Sequence, residues 1–93
     1  MVVGVLTIDF HFPYTRSIKD KRRILHGFKD RVRERFNVAL AEVDHQDKWQ
    51  RSRLAVAAVN SQAFIVEETL RRVLEEAGNL AGAEVVWQEI RYV

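Results

Sequence analysis

The sequence predicts an α+β sandwich of element order βαββαβ, a four-stranded antiparallel sheet with two helices on one face. Three observations lead there. Residues 2–12 alternate between two faces, as a strand does. Two stretches, 18–36 and 64–77, repeat apolar residues at helical spacing. Between and after them lie short runs of small and β-branched residues bounded by turn formers. Each βαβ unit is expected to cross over right-handedly, which gives the ferredoxin-like arrangement.

In the first strand, Gly4, Leu6, Ile8, Phe10 and Phe12 form a wholly apolar face that must meet a core. Val3, Val5, Thr7, Asp9 and His11 form the other, graded from apolar to polar as on a sheet open to solvent. Pro13 stops the strand because it cannot donate to the ladder. Ser17 reads as an N-cap, with Asp20 three residues on completing a short capping box. Ile18, Ile24, Leu25, Phe28, Val32 and Phe36 then mark a helix running to about Arg35. Gly27 inside it costs about 1 kcal/mol relative to alanine, for which a close helix–sheet contact is the expected compensation.

Val38–Val43 is the second strand, Asp44–Lys48 a turn, and Trp49–Val59 the third strand. Leu54, Val56 and Ala58 lie on one face of it and Ala55, Ala57 and Val59 on the other. Asn60 or Ser61 is expected to cap the second helix, whose stripe is Phe64, Val66, Leu70, Val73, Leu74 and Ala77, with Gly78 at its end. After the turn Asn79–Gly82, the fourth strand spans Ala83–Val93, with Val85 and Trp87 on one face and Val86, Ile90 and Tyr92 on the other.

Ninety-three residues are expected to make one domain, residues 1–93, with a single small core. At 47% hydrophobic and 30% charged, the chain has the composition of a globular protein and not of a disordered one. It has no cysteine, which excludes a disulfide framework, a thiolate nucleophile and Cys-ligated zinc, and makes an intracellular setting the simplest expectation. Asp9 and His11 interrupt the apolar run at the start, so it reads as a strand and not as a signal peptide. No run approaches the roughly 20 apolar residues of a membrane span.

The formal charge of +2 conceals an asymmetry. Residues 1–35 hold nine Lys and Arg against four Asp and Glu; residues 36–93 hold six against nine. Basic charge is therefore concentrated on the first helix, which bears on partners and not on fold.

Three blocks carry a family resemblance: Ser17-Ile18-Lys19-Asp20-Lys21-Arg22-Arg23, Arg35-Phe36-Asn37-Val38, and Ala41-Glu42-Val43-Asp44-His45-Gln46-Asp47-Lys48-Trp49-Gln50-Arg51. With them the chain resembles, over essentially its whole length, the YlxP-like family of small bacterial proteins of unknown function. The resemblance implies a bacterial cytoplasmic protein with a ferredoxin-like fold and tilts the expected partner towards RNA and the ribosome. It implies no mechanism. Ala39 departs from the small polar residue expected there, which weakens any role for a hydroxyl at that position.

Two constellations are candidates for function. Lys19, Arg22, Arg23, His26, Lys29 and Arg33 form a basic stripe opposite the apolar one, with Arg16 and Lys21 at its near end. A row of guanidinium groups suits a polyanion backbone, so RNA is the expected partner; a solvated helix face is the plain alternative. Glu42, Asp44, His45 and Asp47 could hold a divalent cation or act as an acid–base pair. Equally, Asp44, His45 and Asp47 suit a turn, and Glu42 suits a cross-strand ion pair with Arg51 or Arg53.

The first strand's open face offers no aromatic pair for base stacking, and Asp9 there would repel phosphate. That argues against base stacking on the sheet and leaves the helix stripe as the better candidate. There is no Gly-rich phosphate loop, nucleophile elbow or His-x-x-x-His pair, and no cofactor is expected. The favoured role is non-enzymatic binding, with a metal-dependent or acid–base enzyme and a protein-interaction module as alternatives. Trp49, Trp87, Tyr92, Val3 and Val5 leave more apolar surface than two helices cover, so a homodimer is expected.

Overall fold

The computed structural model describes all 93 residues. β1 (Val2–His11), α1 (Ile18–Arg35), β2 (Ala39–Asp44), β3 (Arg51–Asn60), α2 (Ala63–Gly78) and β4 (Glu84–Tyr92) follow in the expected order. The sheet order is β2-β3-β1-β4 and every neighbouring pair is antiparallel, a ferredoxin-like α+β architecture. No helix is long and apolar enough to cross a membrane.

The core lies between the sheet and both helices. Leu6, Ile8, Phe10 and Phe12 of β1 and its continuation join Leu54 and Val56 of β3, Leu25, Phe28 and Val32 of α1, and Val66, Leu70, Val73 and Ala77 of α2. Phe10 meets Phe28 edge-on and Phe12 at a tilt, both at 5.7 Å between ring centroids, favourable arrangements for aromatic quadrupoles. Burying side chains such as these contributes about 1.5–3 kcal/mol each before the entropy of ordering them is subtracted.

Ser17 caps α1 as expected. It is extended and its hydroxyl accepts from the Asp20 N–H at 3.1 Å. The Asp20 carboxylate in turn accepts from the Arg16 N–H, one residue before the cap. α1 ends where Phe36 turns extended.

Six details differ from the sequence reading. The close helix–sheet approach is at Gly4, not Gly27: a Cβ on Gly4 would stand 2.6 Å from Val66 Cγ1 of α2, whereas Gly27 faces only the Arg31 side chain. α2 begins after Gln62, which makes no side-chain cap; Asn60 instead accepts from the Gln62 N–H. Phe64 is 62% exposed, because residues 66, 70, 73 and 77 set the buried phase of α2 and position 64 falls outside it. Trp49 belongs to the loop, since β3 starts at Arg51. Lys21 is fully buried and is no part of the exposed stripe.

The sixth is a bulge in β4. Asp9 pairs with Trp87, but Phe10 pairs with Val85, so Val86 is the extra residue. Val85 therefore packs against the core while Trp87 stays on the open face, and the two do not share a side. A matching irregularity in β2 leaves Val43 unpaired between Glu42, opposite Leu54, and Asp44, opposite Arg53.

Candidate functional site

Lys21 occupies the same face of α1 as Leu25, Phe28 and Val32, at the spacing i, i+4, i+7, i+11. Its ammonium enters the end of the core. There it donates to Glu42 Oε2 at 3.0 Å and lies 2.8, 3.4 and 3.1 Å from the backbone oxygens of His45, Gln46 and Arg51. Ser52, fully buried, donates to the same Glu42 oxygen at 2.7 Å. Leu40 and Glu42 share the core-facing side of β2, as Ser52 and Leu54 share that of β3. Three polar residues in phase with the core are the signal that could have revealed this cluster in the sequence.

The β2–β3 loop is stitched from its other side as well. Phe12 N–H donates to Gln50 O at 2.9 Å, and the Thr15 hydroxyl donates to Trp49 O at 2.6 Å. His45 sits in the left-handed region at φ 62°, a conformation that costs a non-glycine residue energy and persists only where its surroundings hold it. Asp44 accepts from the His45 N–H at 2.7 Å, and Lys48 N–H donates to His45 O at 3.0 Å.

The four loop residues are not brought together. Glu42 turns inward to Lys21 and Ser52, and its partner is neither Arg51 nor Arg53. Asp44 and His45 lie beside each other on the loop surface, with Oδ1 and Nδ1 3.7 Å apart, and Asp47 is exposed. No three His, Asp or Glu side chains converge closely enough to hold a metal ion.

The basic stripe is displayed much as its spacing implied. Lys19, Arg22, Arg23, His26 and Arg33 are exposed and Lys29 is half-buried. Arg23 pairs loosely with Asp20 at 3.7 Å, and Asp30 lies 3.6 Å from His26 and 4.0 Å from Arg33. Arg33 also donates to Leu40 O on the β2 edge. Lys19, Arg22 and Lys29 enter no ion pair. Such partly unpaired cations on one helix face keep their charge available to an external anion.

A second arrangement escaped sequence reading. Arg53 reaches from β3 across β1 and donates to both oxygens of Asp9, from Nε at 2.6 Å and Nη2 at 2.9 Å. It also lies over the Trp87 ring, 5.5 Å from the centroid. Sequence separation hides this group; only the order β3-β1-β4 brings residues 53, 9 and 87 side by side. The Arg53 hydrogen bond holds the Asp9 carboxyl below its ordinary value, outweighing the burial that pushes it up, with the nearby charges of Arg53, His45 and Arg51 adding to the lowering.

The family model described as "Protein of unknown function (DUF503)" matches residues 3–90. A curated relative, "Uncharacterized protein YlxP" of Bacillus subtilis (strain 168), is 43% identical over 58 residues. That alignment covers 62% of this chain and 63% of the relative, so it spans less than two thirds of the relative's length.

Asp9 sets a pH-dependent term in stability. Its folded pKa is below the unfolded value, so its contribution is present above the ordinary carboxylate range and is lost as pH falls through the folded pKa. Asp9→Asn is expected to cost about 1–2 kcal/mol at neutral pH. In urea titrations repeated across pH, that gap should close in acid; a gap that stays constant down to strongly acidic pH would contradict the assignment.

Proposed function

Since the chain belongs to the DUF503 family, described only as proteins of unknown function, we propose a role from its own surface: a non-enzymatic domain that binds RNA, ribosomal RNA included, in the cytoplasm through α1. The observation that carries this reading is the row Lys19, Arg22, Arg23, Lys29 and Arg33, exposed except for the half-buried Lys29, in which Lys19, Arg22 and Lys29 enter no ion pair. Cations spaced along a helix follow a phosphate backbone and release its counterions, so affinity should fall steeply with salt. The removal of Lys21 from this row does not weaken the reading, because that charge is already met by Glu42 inside the core.

Binding to purified ribosomal RNA is measured across a salt series for wild type and for the combined variant Arg22→Glu, Arg23→Glu, Lys29→Glu. Wild type is expected to saturate, with log affinity falling linearly in log salt. The variant is expected to fold and to lose most of that affinity. Absence of wild-type binding at low salt, or an unchanged slope in the variant, rules α1 out.

A second reading has its own observation. On the open face Val3, Val5, Ala39, Ala41, Ala55, Ala57 and Val59 are neighbours. All but Val5 line shallow depressions of about 400 and 250 Å³ together with Val38, Asn37, Leu40 and Ala58. Small side chains let a second sheet approach closely, and an apolar patch of this kind favours a self-complementary contact. This reading makes the protein a homodimer through that patch. Light scattering should give a dimer for wild type and a monomer for Ala57→Glu; a monomeric wild type at high micromolar concentration would sink it.

A further inference from the structure

In register, the open face of the sheet is a lattice. Arg51 stands opposite His11 at one end. Next come Asp44, Arg53, Asp9 and Trp87, then Ala41, Ala55, Thr7 and Glu89. The row of Arg53 and Trp87 brings a guanidinium over an aromatic ring on this otherwise low surface. Both groups remain accessible, Trp87 being 45% exposed and the Arg53 side chain 37%. Nε and Nη2 of Arg53 are committed to Asp9, which holds the plane in place and offsets its charge. The neighbouring row holds Ala41, Ala55 and Thr7, which leaves a step beside Arg53, and Glu89, which stands next to Trp87.

We infer that Arg53 and Trp87 form a stacking site for a nucleobase of single-stranded RNA. The inference rests on the RNA reading above and adds the base contact that cations along α1, suited to phosphate, do not supply. Unpaired bases stack on aromatic rings and on guanidinium planes, and Arg strengthens such stacks through its charge. A neutral ring suits this pair better than a free anion does, because an anion would compete with a carboxylate already 2.6 Å from the guanidinium.

Charge around the pair is mixed, with Asp44 in its own row and Glu84 beside His11, and the contact to a phosphate falls to Arg51. Arg51, exposed and in no ion pair, stands one row away, about 7 Å along the strands, where it can meet a phosphate flanking the stacked base. Arg91 on the other side is partly offset by Glu89 at 3.6 Å.

Trp49→Phe leaves Trp87 as the single indole, and its emission reports directly on the site. A short unstructured single-stranded RNA is added, with inorganic polyphosphate as a polyanion lacking bases. RNA should quench Trp87 in step with binding, while polyphosphate binds without quenching. Trp87→Ala should weaken RNA affinity roughly 5- to 150-fold and leave polyphosphate affinity unchanged. RNA binding that neither quenches Trp87 nor weakens in Trp87→Ala overturns the stacking site and leaves the α1 reading standing. Equal quenching by polyphosphate also overturns it. In the charge-reversed α1 protein, quenching by a nucleoside monophosphate supports the site even when RNA affinity is lost. No quenching by RNA or mononucleotide in either protein overturns it.

Discussion

The ammonium of Lys21 is the point on which this structure turns. It is a charge taken wholly out of water at the end of the core, held by one carboxylate and reaching three backbone oxygens. A buried charge is tolerable only when its partners are all in place, so this contact dictates its surroundings. It draws Glu42 inward, fixes where the chain leaves β2, and holds the loop through which it re-enters at β3. The left-handed His45 is sustained by the same grip, since its carbonyl accepts from both the ammonium and the Lys48 N–H. Replacing such a pair by apolar residues is often neutral, whereas removing one partner is costly.

That arrangement separates two kinds of positive charge on one helix. Lys21 lies in phase with Leu25 and Val32 and is neutralised inside the core; Lys19, Arg22 and Lys29 lie out of phase and remain free. The sheet makes a comparable division. Its inner face is filled by large apolar side chains, while its outer face grades from Val3 and Ala57 at one end to Asp9, Arg53 and Trp87 towards the other. The apolar end suits a second copy and the charged, aromatic end suits a polar ligand, so the proposed contacts use different parts of the surface.

Much of the architecture was legible because periodicity is a property of neighbouring residues. The alternation in β1, the Ser17 cap and the apolar stripe of α1 are local signals, and the structure reproduces them. What escaped was either irregular or distant. The bulge at Val86 inserts one residue into a period-two pattern, and every assignment of sides on the N-terminal part of β4 changes with it. Lys21 was misplaced because its charge suggested solvent although its spacing with Leu25 and Phe28 pointed inward. Gly4 reads as an ordinary strand residue until α2 is laid over it, when Val66 leaves no room for a side chain. The Asp9–Arg53 pair and Trp87 come from three strands, and only the sheet order unites them.

The most direct test of the central role of Lys21 is amide hydrogen exchange, combined with equilibrium unfolding, on Lys21→Met and on Lys21→Met with Glu42→Leu. The single variant should lose about 3 kcal/mol. Exchange should also quicken at the Lys48 and Phe12 amides, which bond to His45 and Gln50, beyond the change across the rest of the sheet. The double variant should recover most of the global stability while the loop stays loosened. A single variant as stable as wild type, with both amides still protected, would show that the loop holds itself and that the buried ammonium is incidental.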